Sequence, residues 1–222
     1  MAITLLLLLS LAVHAGIGDA YGYLSFPPAT YRDVTRSQLV TTTFNSSIHP
    51  TFFVMRNSFP MHNRAATFAR RLEYADFSSL REFADILVPG CGNTVIDGDV
   101  EAVNVFGAKR LLWRNEDEKI GFYQGTEGPC ETWIDNELLQ RRVDCVSTYR
   151  TYPAQIPINF GRCPIGKICV LRFYWIAVDA LPFKLMSEWS RCVRDGFSYQ
   201  RSVNCFNRAL RSHHKQSICP ES

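Results

Sequence analysis

Residues 121–136, GFYQGTEGPCETWIDN, carry the pattern on which the fold depends. A Gly-Pro dipeptide stands directly before Cys130 and predicts a turn, because this pair interrupts regular secondary structure. The four residues after Cys130 alternate polar and apolar side chains, which predicts a half-buried strand. Cys145 follows closely enough in sequence to close the hairpin through a disulfide with Cys130. We therefore expect a turn-and-strand unit held by a cross-link.

Further β-type segments occur on both sides of this unit, and the longest is residues 168–178, ICVLRFYWIAV. Alternation along this segment defines two faces, one with Cys169, Leu171, Phe173, Trp175 and Ala177, the other with Val170, Arg172, Tyr174, Ile176 and Val178. Residues 37–44 and 50–55 are also predicted as strands. Several short strands separated by turns predict a mostly β fold, an antiparallel β-sandwich stapled by disulfides.

A short helical insertion interrupts the β pattern between residues 61 and 87, where apolar side chains recur at helical spacing. Ser79 and Glu82 have the spacing of a capping box, which marks the start of a helix. We expect two helices with a break near residues 76–78.

The first twenty residues have the features of a signal peptide. Their leucine run is too short to span a bilayer, and small residues precede Tyr21. We expect a mature chain that starts at Tyr21, with the sandwich over residues 21–194 and a basic C-terminal extension over residues 195–222. Because the rest of the chain lacks an apolar run of membrane-spanning length, we expect a secreted, extracellular protein with no membrane span.

All eight cysteines lie beyond the predicted signal peptide. An even number in a secreted chain favours four disulfides over metal ligation. Sequence does not fix the pairing. Spacing suggests three local bridges and one between distant parts of the chain: Cys130–Cys145, Cys163–Cys169, Cys205–Cys219 and Cys91–Cys192.

The charge distribution argues against a nucleic-acid partner. Removal of the predicted signal leaves 24 basic and 20 acidic residues, a net charge of +4, and the segment from Ser190 onward carries all of it with six basic residues and two acids. Such a tail favours solubility or weak contact with polyanions. We expect a monomer that does not bind nucleic acid.

A glycosylation signal occurs once in the sequence. Asn45-Ser46-Ser47 has the acceptor pattern for an N-linked glycan, a modification that secreted chains receive on surface loops. We therefore predict a glycan on Asn45.

Six ordered blocks resemble the secreted lytic polysaccharide monooxygenases, and in particular their small pectin-active branch. The blocks cover most of residues 21–194 and read YLSFP (23–27), PGCGNT (89–94), EKIGF (118–122), GPCETWIDN (128–136), YPAQIPINF (152–160) and LRFYWIAV (171–178). The resemblance implies an immunoglobulin-like antiparallel β-sandwich. It also implies a copper site in which the N-terminal amine and two histidines supply three nitrogen ligands, a donor set that suits Cu(II).

This sequence departs from the family at both histidines. Tyr21 stands where the first belongs, and Thr126 and Glu127 occupy the place of the second, just before the Gly-Pro-Cys-Glu turn. Tyr174 matches the aromatic residue that lies axial to the copper in the family. The resemblance therefore implies a degenerate site at Tyr21, Thr126, Glu127 and Tyr174, with no bound metal.

Several hypotheses follow from this degenerate site. The favoured one is a non-catalytic relative without a cofactor, which binds cell-wall polysaccharide or a host surface through Tyr21, Tyr23 and Tyr123. An alternative is an active copper monooxygenase that cleaves polysaccharide with substituted ligands such as Glu127 and the Tyr21 amine. A copper site rebuilt from other histidines is a third hypothesis. A hydrolytic carboxylate pair among Asp97, Asp99 and Glu101 is a fourth, which a solvated strand edge explains as simply.

Overall fold

A computed structural model describes residues 22–33, 40–55, 63–178 and 181–196. Within these residues the largest sheet contains the strands β3 (Thr42–Phe44), β5 (Val103–Asn104), β7 (Cys130–Ile134), β8 (Glu137–Arg142), β10 (Ile168–Ala177) and β11 (Phe183–Val193). Five of these strands follow the order β3-β11-β10-β7-β8, with antiparallel pairing throughout. The short strand β5 pairs in parallel with the end of β11.

A second, three-stranded antiparallel sheet covers one face of the large sheet. Its order is β1-β6-β9, with β1 (Tyr23–Phe26), β6 (Arg110–Arg114) and β9 (Ala154–Pro157). A two-stranded ribbon of β2 (Thr30–Tyr31) and β4 (Thr94–Val95) completes the β structure of the described residues. The prediction of a mostly β antiparallel sandwich is confirmed.

The alternation predicted for β10 separates two hydrophobic cores. Phe173 and Trp175 face the small sheet, where they pack with Trp113 in the interior of the sandwich. Tyr174 and Ile176 face the opposite way, into a core covered by the helical insertion. The molecule is therefore layered as small sheet, large sheet and helices, with β10 buried on both sides.

The helical insertion contains α1 (Arg64–Tyr74) and α2 (Leu80–Leu87), as predicted. The Ser79 side chain accepts a hydrogen bond from the backbone N–H of Glu82, which caps α2. The Glu82 carboxylate bonds instead to Ser78, so the capping box forms in only one direction. Residues 50–55, predicted as a strand, form the 3-10 helix Pro50–Met55 and pack Phe52 and Met55 under the insertion. That prediction was wrong: the two buried residues are three positions apart, the spacing of one face of a 3-10 helix, whereas a half-buried strand buries every second residue.

A buried carboxylate joins the insertion to the sheet. Glu131 on β7 accepts hydrogen bonds from the N–H groups of Leu80 and Arg81, at 3.0 and 3.2 Å, and therefore supplies acceptors for the start of α2. The Arg141 guanidinium and the Trp133 indole N–H donate to the same carboxylate. The predicted strand of residues 131–134 thus also fixes where the second helix begins.

Two of the predicted disulfides are confirmed, Cys130–Cys145 and Cys163–Cys169. The predicted pair Cys91–Cys192 is wrong, since both are free and buried. Cys91 packs in the core under the helices, whereas Cys192 lies in the interior of the sandwich, opposite Cys169 on β10. The large sheet stands between their side chains.

The remaining predictions about chain organisation lie largely outside the described residues. The signal peptide and the Cys205–Cys219 pair fall outside them, and so does the extension of residues 195–222 apart from residues 195 and 196. Strand β11 ends at Val193, one residue before the predicted domain boundary.

Candidate functional site

Gly22, the first described residue, packs its backbone directly against β6. Its φ is +102°, and a Cβ added there lies 2.7 Å from the carbonyl oxygen of Arg114 and 2.8 Å from Nε1 of Trp113. Only glycine allows both this conformation and this close approach. The start of β1 is thereby fixed beside the end of β6, and Tyr23 is held next to Arg114.

Five side chains at this end of the small sheet form a polar and aromatic network, which we call the Arg114 cluster: Tyr23, Arg114, Glu116, Lys119 and Tyr152. Arg114 Nε donates to the Tyr23 hydroxyl at 2.9 Å and lies 3.3 Å from Glu116 Oε2. The Tyr152 hydroxyl donates to the same Glu116 oxygen at 2.8 Å, and Lys119 pairs with the other oxygen. The guanidinium carbon of Arg114 also lies 5.4 Å from the centroid of the Tyr23 ring, within cation–π range.

The electrostatics of the cluster keep its ions charged. Hydrogen bonds from Lys119 and then from Tyr152 lower the pKa of Glu116. The bond to Tyr23 raises the pKa of Arg114, and the bond to Glu116 raises the pKa of Tyr152. The cluster therefore presents a carboxylate and two cations around neutral pH, beside the hydroxyl groups of Tyr23 and Tyr152, which suits hydrogen bonding to a ligand rich in hydroxyl groups.

The loop of residues 121–123 is fixed beneath this surface. Phe122 is buried and stacks on Trp113, with ring centroids 5.7 Å apart and an interplanar angle of 9°. A Cβ added to Gly121 would clash with the carbonyl oxygen of Thr151, so this loop packs closely on the segment that carries Tyr152. Tyr123 follows the buried Phe122 and is 44% exposed, while Tyr152 is 40% exposed. Two partly exposed tyrosines therefore lie on neighbouring loops.

A buried glutamic acid fixes β1 from below. Glu188 on β11 is fully buried, and its Oε2 accepts hydrogen bonds from the Leu24 backbone N–H at 2.6 Å and from the Tyr31 hydroxyl at 2.7 Å. Burial raises the pKa of Glu188 to about 8, against the lowering effect of those two hydrogen bonds. The Glu188 carboxyl, which is protonated below about pH 8, therefore holds the strand that carries Tyr23 through its hydrogen bond to Leu24.

The predicted site residues separate in the structure. Tyr23 and Tyr123 lie at the end of the small sheet, whereas Tyr21 is outside the described residues. Thr126 is buried, and its hydroxyl donates to the carbonyl oxygen of Tyr123. The half-buried Glu127 accepts at its backbone oxygen from the N–H of Val178 beyond β10. Residues 126 and 127 thus serve to close a turn and extend the sheet.

Tyr174 does not belong to this surface, so its predicted place in the degenerate site is wrong. It is fully buried on the helix-covered face of β10, and its hydroxyl donates to Asp85 Oδ1 of α2 at 3.2 Å. Burial raises its pKa, ahead of the effect of the Asp85 charge. Because side chains alternate along β10, the residues that face Trp113 are Phe173 and Trp175.

The residues that the structure describes do not fit the three-nitrogen copper site of the resembled family. The only histidine among the described residues is His49, whose Nδ1 lies 2.9 Å from the Thr51 hydroxyl, far in sequence from the Arg114 cluster. The inward-facing Thr126 hydroxyl offers an oxygen already used within the turn. Among the described residues no group of three or more His, Cys, Asp or Glu side chains is arranged to hold a metal ion. Asp97, Asp99 and Glu101 lie exposed in the loop before β5.

Sequence reasoning missed Arg114, Glu116, Tyr152 and Glu188. The charged hairpin after β6 and the Tyr-Pro dipeptide at residues 152–153 were visible, but their proximity depends on the antiparallel pairing of β6 with β9. Glu188 lies in a segment whose buried serines conceal its strand pattern. The segment therefore lacks the alternation of apolar and polar side chains that would have predicted a strand.

Comparison with protein-family models finds no matching family, and comparison with curated proteins finds no matching protein. Of the helices in the described part of the chain, none combines the length and the apolarity needed to cross a bilayer.

Proposed function

We propose that this protein is a secreted, non-catalytic relative of the lytic polysaccharide monooxygenases that binds cell-wall polysaccharide. The binding surface is the Arg114 cluster together with Tyr123. The observation that carries the proposal is the connected set Tyr23, Arg114, Glu116 and Tyr152 at the end of the small sheet.

The chemistry of this surface suits a carbohydrate. Sugar rings present apolar C–H faces and a rim of hydroxyl groups. The partly exposed rings of Tyr123 and Tyr152 offer flat apolar area with little rotamer entropy to lose. Arg114 and Glu116 offer charge-assisted hydrogen bonds to hydroxyls, and their mutual contacts hold them in place before a ligand arrives.

The cross-links and the N-terminal segment support an extracellular compartment. Cys130–Cys145 and Cys163–Cys169 form disulfides, which persist in oxidising compartments. Together with the apolar segment before Tyr21, they support passage through the secretory pathway. The proposal therefore places the protein outside the cell, where it meets polysaccharide.

A retention assay with matched tyrosine variants tests the binding proposal. Wild-type protein is mixed with insoluble pectin, cellulose and chitin, and bound and free fractions are measured. We expect retention on at least one polysaccharide, and the variant carrying Tyr123→Ala and Tyr152→Ala should bind about tenfold more weakly, a loss of about 1.4 kcal/mol. The control is Tyr74→Ala, which removes an equally large exposed ring from α1 on the other side of the large sheet.

Two results contradict this proposal. Absence of retention on all three polysaccharides removes the binding function and leaves a host-surface partner to be sought. Tight copper binding by protein with its native N-terminus, measured by calorimetry and lost when one residue is added before Tyr21, supports a copper enzyme with substituted ligands instead.

A further inference from the structure

Asn45, the acceptor residue of the sequon, lies in an accessible position at the end of a strand. It follows β3 directly and stands at the N-terminus of the 3-10 helix Ser46–Ile48, with φ −99° and ψ 162°. Its side chain is exposed and makes no capping hydrogen bond to that helix. Ser47, which supplies the sequon hydroxyl, is also exposed, whereas Ser46 is buried. Asn45 and Ser47, which define the sequon, thus face outward, and the middle residue, Ser46, faces inward.

The surface next to Asn45 combines two features that promote self-association. The first is a sheet edge, since among the described strands β3 is the terminal one in the order β3-β11-β10-β7-β8. The second is a group of exposed apolar side chains, which we call the Ile48 patch: Ile48, Phe53 and Val54, each 45–46% exposed. The Ile48 N–H donates to the Asn45 carbonyl oxygen at 3.0 Å, so the patch begins one helical turn from the acceptor side chain. Exposed apolar groups beside an open strand are a site for association between copies.

We propose that Asn45 carries an N-linked glycan, and that the first sugars of this glycan cover the Ile48 patch and the adjacent edge of β3 so that the protein stays monomeric. We propose a glycan as the group that covers the patch because the only sequon in the sequence is adjacent to it. A glycan is bulky and hydrated, and it prevents a second chain from approaching along the strand edge. This inference shares the secretory route with the proposed function but does not depend on polysaccharide binding.

The modification itself is a group transfer from a lipid-linked oligosaccharide pyrophosphate. The side-chain amide nitrogen of Asn45 attacks C1 of the first N-acetylglucosamine. The new bond is N–C1, and the bond that breaks joins C1 to the pyrophosphate oxygen, which leaves with its electron pair on the lipid. The amide loses one proton to a base of the transferase. No oxidation or reduction occurs.

A pair of variants differing only at Ser47 tests the modification. Ser47→Thr keeps the acceptor pattern and Ser47→Ala destroys it, and the exposed position tolerates both side chains. Each chain is expressed with its own N-terminal segment in eukaryotic cells. The molecular mass of the protein from the medium is measured by mass spectrometry before and after treatment with peptide N-glycosidase F. We expect a glycan-sized loss of mass for wild type and Ser47→Thr, with Asn45 converted to Asp, and no change for Ser47→Ala. Secreted wild-type protein with unmodified Asn45 overturns this inference alone, whereas protein retained in the cytosol overturns the secretion in the proposed function.

Sedimentation of the secreted proteins tests the shielding role. We expect Ser47→Thr to stay monomeric and Ser47→Ala to show a several-fold larger fraction of dimers and higher species at the same concentration. Wild-type protein deglycosylated after folding should behave like Ser47→Ala, which separates the effect of the glycan from any effect on folding. Ile48→Ser added to Ser47→Ala should restore the monomer. Equal self-association of Ser47→Thr, Ser47→Ala and the deglycosylated protein overturns the shielding role.

Discussion

Replacement of Glu188 by glutamine should change how the stability of this protein depends on pH. In the folded protein the Glu188 carboxyl is buried under β1, and its pKa is raised from 4.5 to about 8. In the unfolded chain the carboxyl is solvated and regains its ordinary pKa. Between these two values the folded state holds a proton that the unfolded state has released. The stability contributed by the neutral carboxyl is therefore fully present below about pH 4.5 and lost as the pH rises through about 8.

The size of the effect follows from the span between the two pKa values. Each pH unit across that span corresponds to 1.36 kcal/mol, so the free energy of unfolding of wild-type protein should fall by up to about 5 kcal/mol between about pH 4.5 and about pH 8. Glutamine has nearly the same shape and keeps an oxygen that can accept from the Leu24 N–H and the Tyr31 hydroxyl, but it does not ionise. The Glu188→Gln variant should therefore gain stability relative to wild type as the pH rises.

Urea unfolding followed by tryptophan fluorescence measures this difference, since Trp113 and Trp175 are fully buried and report the sandwich core. The curves are recorded at several pH values across the window, with Glu73→Gln on α1 as the control for an exposed carboxylate. We expect the difference between Glu188→Gln and wild type to grow with pH, and the difference for Glu73→Gln to change little. A constant difference for Glu188→Gln across the window refutes the reasoning, because it means that the Glu188 carboxyl is already ionised in the folded protein.

Two further predictions concern the buried polar and thiol groups. Glu131→Ala leaves two N–H donors at the start of α2 without their acceptor and should reduce the free energy of unfolding by about 1–3 kcal/mol. Glu131→Gln, which keeps one acceptor oxygen, should reduce it less. If Glu131→Ala loses no more stability than Glu73→Ala, Glu131 does not stabilise the start of α2. Cys91 and Cys192 should be alkylated only after unfolding under non-reducing conditions, because both are buried and burial raises the pKa of Cys192 to about 12. Peptide mapping that finds them joined in one disulfide contradicts the assignment of free thiols.

Much of the secondary structure could be predicted because the relevant signals are local. The alternation of residues 168–178 gave both faces of β10 correctly, and the Ser79 cap gave the start of α2. The strand β11 was not predicted, although at eleven residues it is the longest strand described. Its sequence FKLMSEWSRCV buries Ser187, Glu188 and Ser190, so polarity conceals the alternation on which strand prediction depends.

The candidate site was predicted in part, and the errors share one cause. The predicted binding residues Tyr23 and Tyr123 lie near the start of the chain and on the loop of residues 121–123, but the polar neighbours Arg114, Glu116 and Tyr152 come from strands and loops that meet only through sheet pairing. A list of aromatic residues near one motif does not contain this information. The cluster exists because β6 lies between β1 and β9.

The sequence alone determined the class of the fold and the helical insertion, and its cysteine spacing suggested the two short-range disulfides. Each depends on interactions between residues close in the chain, where spacing and turn chemistry limit the choices. Only the tertiary structure decided which side chains face each other across the sheets. The large sheet places Cys91 and Cys192 on opposite sides, turns Tyr174 toward Asp85 and buries Glu188 beneath β1. The physical reason is that strand order and register are set by the packing of the whole core, and a side chain's face follows from that register.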